Sequence, residues 1–210
     1  MSASSSTVLL LVRHARTATT GVVLPGRARG LHLTEEGVRQ AEAAARRIAR
    51  LPRVAAVYAS PLERARETAA AIARVRRLAV RVMPGLTEVD VGEWVGRSLA
   101  RLRRRAEWRL VQRHPSGFRF PGGESFAEMQ ARVASAVADL AARHRGGTVV
   151  AVSHADPIKA AVAHAVGAPL DLFQRIAIAP ASITAIVYRP EGPLVLTVNS
   201  VSGDLDGLLR

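Results

Sequence analysis

Thr7-Val8-Leu9-Leu10-Leu11-Val12-Arg13-His14-Ala15-Arg16-Thr17 joins an unbroken apolar run to a histidine set among arginines. The run has the length and continuity of a buried β-strand, and its polar residues fall where that strand should end. In open α/β sheets, ligands bind at strand ends. A second run, Thr148-Val149-Val150-Ala151-Val152-Ser153, also ends on a histidine, His154. Two strands delivering histidine to one sheet edge, with arginine beside them, make an anion pocket containing a potential nucleophile.

Working outward, strand-like and helix-like stretches alternate. Gly21 to Leu33 is rich in Gly, Pro and Arg and reads as a loop. Thr34-Glu35-Glu36 then opens a helix with a capping residue and an acidic first turn, running to about Arg50. Val54 to Ala59 is a short strand. Ser60-Pro61-Leu62-Glu63 reads as a capping box with proline at the first helical position, starting a helix to about Arg76. Leu78 to Met83 is a strand, and its following loop carries Glu88, Asp90 and Glu93. Leu99 to Arg113 reads as one basic helix, and Ser125-Phe126-Ala127-Glu128 opens another to about Arg143. Pro157 to Val166 is helical, Ile183 to Tyr188 and Leu194 to Asn199 are strands, and the tail after Ser202 is expected to fray. This order predicts a single α/β domain over 1–210, a three-layer α/β/α sandwich around a mostly parallel sheet. Residues 1–6 and about 203–210 are the expected frayed tails. The segment from about Val89 to Gly123 is the expected cap-like insertion over the site.

Composition narrows the chemistry. With 210 residues and 49% hydrophobic residues the chain can bury a large core. It has no cysteine, so disulfides, thiol nucleophiles and cysteine-ligated metal are excluded. No histidine and carboxylate spacing resembles a ligand set, so neither a metal nor another cofactor is expected. Met1 to Thr7 lacks a basic n-region, and the apolar run that follows is too short for a signal or a membrane span. A soluble, cytoplasmic protein is the default. The net charge of +13 favours anionic partners. Of the 30 basic residues 29 are arginine, Lys159 being the exception, which fits a genome-wide arginine bias on solvated helix faces. Aromatic residues make up only 4%, too few for stacking platforms, so nucleic acid is disfavoured. The expected partner is a small phosphorylated substrate, with a homodimer as a candidate assembly.

A phosphate monoester is a dianion that matches the planar, always charged guanidinium of arginine. An unprotonated histidine nitrogen can attack its phosphorus, and a nearby carboxylic acid can protonate the leaving oxygen. At this point the chain resembles the histidine phosphatase superfamily, in its phosphoglycerate-mutase-like branch. Arg13-His14-Ala15-Arg16-Thr17 is close to the Arg-His-Gly signature of that family. Leu33-Thr34-Glu35-Glu36-Gly37-Val38-Arg39-Gln40-Ala41 matches a second motif, and Ser60-Pro61-Leu62-Glu63-Arg64-Ala65-Arg66-Glu67-Thr68-Ala69 a third. Leu86-Thr87-Glu88 resembles the acid loop, Pro121-Gly122-Gly123-Glu124-Ser125 its lead into a helix, and Val152-Ser153-His154-Ala155 the second histidine. All stand in family order from about Val8 to at least Ala163.

The resemblance implies that His14 becomes phosphorylated and that Arg13 and Arg64 bind the phosphoryl oxygens. It implies that His154 donates to the transferring group and that Glu88 is the proton donor. It also implies a metal-independent phosphomonoester hydrolase acting through phosphohistidine. Two departures touch the pocket. Ala15 replaces a glycine, which would cost about 1 kcal/mol if its φ were positive. Thr20 stands where the family often has asparagine, as a shorter phosphate-binding donor. His32, His114, His144 and His164 lack matching context. The family's mutase continuation Glu-Arg-His-Tyr-Gly is absent after Glu88, which favours hydrolysis. A phosphoglycerate-type phosphomutase is the alternative, and a catalytically weak anion- or nucleic-acid-binding protein the second. The basic run Arg101-Leu102-Arg103-Arg104-Arg105, with Arg109, reads as a solvated face or as a lining of the pocket mouth.

Overall fold

The computed structural model describes residues 6–205. The elements in chain order are β1 (Thr7–Arg13), α1 (Glu35–Ala49), β2 (Ala56–Ala59), α2 (Glu63–Arg76) and β3 (Val80–Val82). After them come α3 (Leu99–Leu102), α4 (Ala106–Arg113), α5 (Phe126–Arg143), β4 (Thr148–Ser153), α6 (Ala155–Ala165), β5 (Ile183–Arg189) and β6 (Gly192–Ser200). The strands form one sheet in the order β3-β2-β4-β1-β5-β6. The first four in that order run parallel, and β5 and β6 are added antiparallel.

Period-two alternation sorts the strand side chains between two cores. Leu10, Val12, Val150 and Val152 pack with Ala41, Ile48, Ala65 and Ile72 of α1 and α2. Leu9, Leu11, Val149 and Ala151 face the other way, onto Met129, Val133 and Leu140 of α5 and Ile158 of α6. The result is the expected α/β/α sandwich. Between Val89 and Gly123, the side chains of Trp94, Val111, Phe118 and Phe120 are buried in the same core as α5 and α6.

Two helix starts follow the sequence reading. Thr34 Oγ1 accepts from Gly37 N–H at 3.1 Å, and Ser125 and Glu128 form a reciprocal capping box. The box expected at Ser60 does not form. The helix begins at Glu63 after Leu62, which makes no side-chain cap, because the Ser60 hydroxyl is held 2.7 Å from His154 Nε2. The basic helix expected over 99–113 is split into α3 and α4. Arg105 is extended there, its guanidinium lying 5.6 Å from the Trp94 ring centroid and paired with Glu107 at 2.7 Å. Packing thus overrides propensity in a run of like charges. α6 starts two residues before Pro157, which its first turn tolerates.

The expected terminal fraying lies mostly outside the described residues. Its described part, Gly203 to Leu205, is tied down. Arg47 donates to the carbonyls of Ser200, Ser202 and Gly203, and Leu205 is buried in the core beneath α1 and α2. Among the described residues no helix is long and apolar enough to cross a membrane.

Candidate active site

Parallel pairing of β1 with β4 sets Arg13 opposite Ser153, so both strands end at one level. His14 N–H continues the ladder to Ser153 O at 2.9 Å. The two histidine rings therefore emerge side by side, with centroids 5.1 Å apart.

The chain after β1 is gripped from both neighbouring helices. Arg16 O accepts from Thr34 N–H at 3.0 Å, and Gln40 Oε1 accepts from Arg16 N–H at 3.1 Å. A Cβ on Gly37 would lie 2.1 Å from Arg16 O, so only glycine admits this approach. From α2, Thr68 Oγ1 accepts from Ala15 N–H at 3.0 Å and donates to Arg64 O at 2.8 Å. Ala15 is absent from the residues of positive φ and is fully buried, so its methyl is packing and carries no backbone strain.

His14 Nδ1 lies 2.8 Å from Ala15 O. A carbonyl only accepts, so this nitrogen carries the proton and the lone pair of the neutral ring sits on Nε2. Burial, then the charges of Arg64 and Arg13, push the imidazole down to about 3. His154 is fully buried and is also held well below the usual histidine range, by burial first and then by His14, Arg64 and Arg13.

Arg64 is fully buried on α2, its Nη2 donating to Gly26 O at 2.8 Å and its Nη1 to Ala28 O at 3.2 Å. Arg13 Nη1 donates to Ile178 O at 2.6 Å. These backbone oxygens fix both guanidinium planes. Arg13 Nε, Arg64 Nε and His154 Nδ1 are each buried without a hydrogen-bond partner. A buried, unpaired polar nitrogen is costly, and three such nitrogens on residues within electrostatic reach of one another suit an oxyanion.

Glu88 Oε2 lies 3.8 Å from His154 Nδ1. Burial raises its carboxyl to about 7; Asp156 adds to the rise, and Arg64, the Val89 N–H and Arg13 oppose it. The loop is clamped through its backbone. Arg27 Nε donates to Glu88 O at 2.9 Å, and Arg132 Nη1 donates to the carbonyls of Gly85 and Thr87. Glu124 joins the two arginines, at 3.0 Å from Arg27 and 2.9 Å from Arg132.

Arg13, His14, Arg64, Glu88 and His154 thus converge. Thr20 Oγ1 accepts from Thr17 N–H at 3.0 Å and closes the loop turn. Ser60, Thr68, Arg27, Glu124, Arg132 and Asp156 were not singled out from the sequence for this site. Ser60, Thr68 and Glu124 lay within matched motifs without an assigned role, and Asp156 stands in the first turn after His154. Beyond Arg13 and Asp156 a cavity of about 420 Å³ reaches Trp108 and Lys159. Of the basic run, Arg103 lines this cavity, while Arg101, Arg104, Arg105 and Arg109 are exposed.

Two buried histidines at the ends of neighbouring parallel strands, with Arg13 beside them and Arg64 entering from α2, form an α/β site whose donors suit an anion. The profile described as Histidine phosphatase superfamily (branch 1) matches residues 9–201. The chain belongs to that family. It is 32% identical over 196 residues to phosphoserine phosphatase 1 of Hydrogenobacter thermophilus, covering 91% of each chain. It is 35% identical over 193 residues to a bifunctional protein of Mycobacterium tuberculosis, covering 89% of this chain and 51% of that one. The chain thus spans about half the length of that mycobacterial relative. Among solved structures, mycobacterial glucosyl-3-phosphoglycerate phosphatase superposes with a TM-score of 0.83 at 27% identity, over 93% of this chain and 99% of the other.

Proposed function

We propose that the protein is a metal-independent phosphomonoester hydrolase that acts on a small phosphorylated metabolite through a phosphohistidine. The observation that carries this reading is the neutral His14 ring beside the buried Arg64 and half-buried Arg13, whose Nε atoms are buried without partners. Relatives named as phosphatases support it.

Arg13 and Arg64 hold the phosphoryl oxygens and neutralise their charge. His14 Nε2 attacks phosphorus opposite the ester oxygen. As the N–P bond forms, the P–O bond breaks and Glu88 gives its proton to the leaving alkoxide. The Ser60 hydroxyl donates to His154 Nε2, which leaves the His154 proton on Nδ1 for a phosphoryl oxygen. In the second step Glu88, now a carboxylate, takes a proton from water. The water oxygen attacks phosphorus, the N–P bond breaks, and orthophosphate leaves with Glu88 protonated again.

With 3-phosphoglycerate and catalytic 2,3-bisphosphoglycerate supplied, inorganic phosphate is the expected product, with isomerisation below about a tenth of its rate. After Glu88 the chain has Val89 and Val91 buried and Asp90 bound to Arg27, in place of the mutase continuation. Following both products by coupled assay checks this. Isomerisation faster than release by tenfold or more would make the protein a mutase. Failure to turn over phosphoglycerate alongside cleavage of an aryl phosphate leaves the hydrolase reading standing.

Asp156→Asn removes the negative charge that adds to burial in raising Glu88. Glu88 then ionises at lower pH, so the alkaline limb of kcat/KM for an alkyl phosphate moves down by roughly one pH unit. A pH profile of variant against wild type measures it, and an unmoved limb rejects the coupling.

A further inference from the structure

The cavity beyond Arg13 has two walls of different chemistry. Leu99, Trp108, Val111 and Phe120 form an apolar wall, and Trp108 is held by stacking on Trp94, with ring centroids 6.4 Å apart. Asp156, Lys159 and Gln174 form the other. There Lys159 Nζ donates to Asp156 Oδ1 at 3.0 Å and to Gln174 Oε1 at 2.9 Å. This is the one lysine in a chain with 30 basic residues. A compact ammonium with three rotatable donors reaches both acceptors at once, a geometry that the fixed fork of a guanidinium does not reproduce with one nitrogen.

The polar wall offers both kinds of hydrogen bond. The ammonium has a third N–H, the Gln174 amide two more, and the Asp156 carboxylate further lone pairs. The charges of Lys159 and Asp156 cancel, and Arg103, which also lines the cavity, is exposed to solvent, so the half-buried polar wall carries no surplus cation for a carboxylate. A plain hydrocarbon would strand three polar groups. A ring bearing hydroxyls, with an apolar C–H face, meets the polar wall with its oxygens and Trp108 with its face. The volume of about 420 Å³ falls among pockets that enclose whole small molecules, about 300–1,000 Å³.

We propose that this cavity is the leaving-group subsite and that it takes a sugar ring, so that the substrate is a sugar phosphate monoester. The proposal rests on the hydrolase reading above. The test compares kcat/KM for glucose 6-phosphate, ribose 5-phosphate, O-phosphoserine, 3-phosphoglycerate and 4-nitrophenyl phosphate. A sugar phosphate is expected to exceed phosphoserine and phosphoglycerate by about tenfold or more, the worth of one or two satisfied hydrogen bonds. Lys159→Met and Gln174→Leu are each expected to lower the sugar-to-aryl ratio about tenfold, mainly through KM. Lys159→Arg is expected not to restore it. Should Lys159→Met fail to fold, the half-buried Gln174 position carries the same expectation.

A ratio unmoved in both variants would overturn the subsite. Tenfold preference for phosphoserine or phosphoglycerate would overturn the sugar assignment while the hydrolase reading stands. Absence of turnover on every ester, the aryl one included, would overturn the hydrolase reading and this proposal with it.

Discussion

His14→Ala is expected to abolish turnover of every phosphate ester, by on the order of 10⁴-fold or more, because no other group takes over the covalent step. The neutral ring persists at any pH above about 3, since burial and two arginine charges hold the folded-state value there. Protonation of His14 therefore does not set the acid limb of the free enzyme's activity profile. Quenching a turning-over sample without acid should trap phosphate on His14, read by mass spectrometry of the peptide. Full activity in the variant, or phosphate on a serine or threonine, would reject the mechanism. Activity is also expected to survive a strong chelator, because the arginines supply the charge that a metal would. Loss of activity restored by a divalent ion would count against this.

The two histidine-bearing strands were legible because their pattern is local. Five apolar residues in β1 and the Thr148 run in β4 read as buried strands, and a residue at a strand end can only emerge at the sheet edge. That His14 and His154 become neighbours needs only the pairing of β1 with β4, which the register supplies. The motifs at Thr34 to Gln40 and at Thr68 turn out to hold the backbone of Ala15 and Arg16. Their role is support, which spacing alone does not reveal.

What stayed hidden depends on long-range placement. Ser60 carries every local sign of a helix cap, yet His154, 94 residues away, takes its hydroxyl. The clamp on Glu88 draws Arg27, Glu124 and Arg132 from a loop, a helix lead and α5. None stands out in an arginine-rich chain. Thr20 shows the converse. Its position matched a family site, and its side chain also closes its own loop by accepting from Thr17 N–H, a role that the position alone does not reveal.

Glu88→Gln is expected to slow alkyl phosphates by on the order of 100-fold or more, while an aryl phosphate loses only a few-fold. An alkoxide is a poor leaving group and needs the proton, whereas a nitrophenolate departs without one. kcat/KM is the parameter to compare, because it reports the steps up to formation of phospho-His14 and is blind to the later attack of water. The pH dependence provides a second reading of the same group. Glu88 sits at about 7, raised by burial and by Asp156, and only its protonated form donates. Alkyl ester kcat/KM should therefore fall as pH rises past about 7, and this fall should vanish in Glu88→Gln. Asp90 and Glu93 serve as controls. The Asp90 carboxylate accepts from Gly92 N–H and pairs with Arg27, so it is engaged in holding the loop, whereas Glu93 holds it through its backbone carbonyl, which accepts from Arg97. If Asp90→Asn or Glu93→Gln slowed alkyl esters selectively and Glu88→Gln did not, the proton would come from that residue instead. The phosphohistidine chemistry would survive such a result, because the attack by His14 does not depend on which carboxylic acid protonates the leaving oxygen.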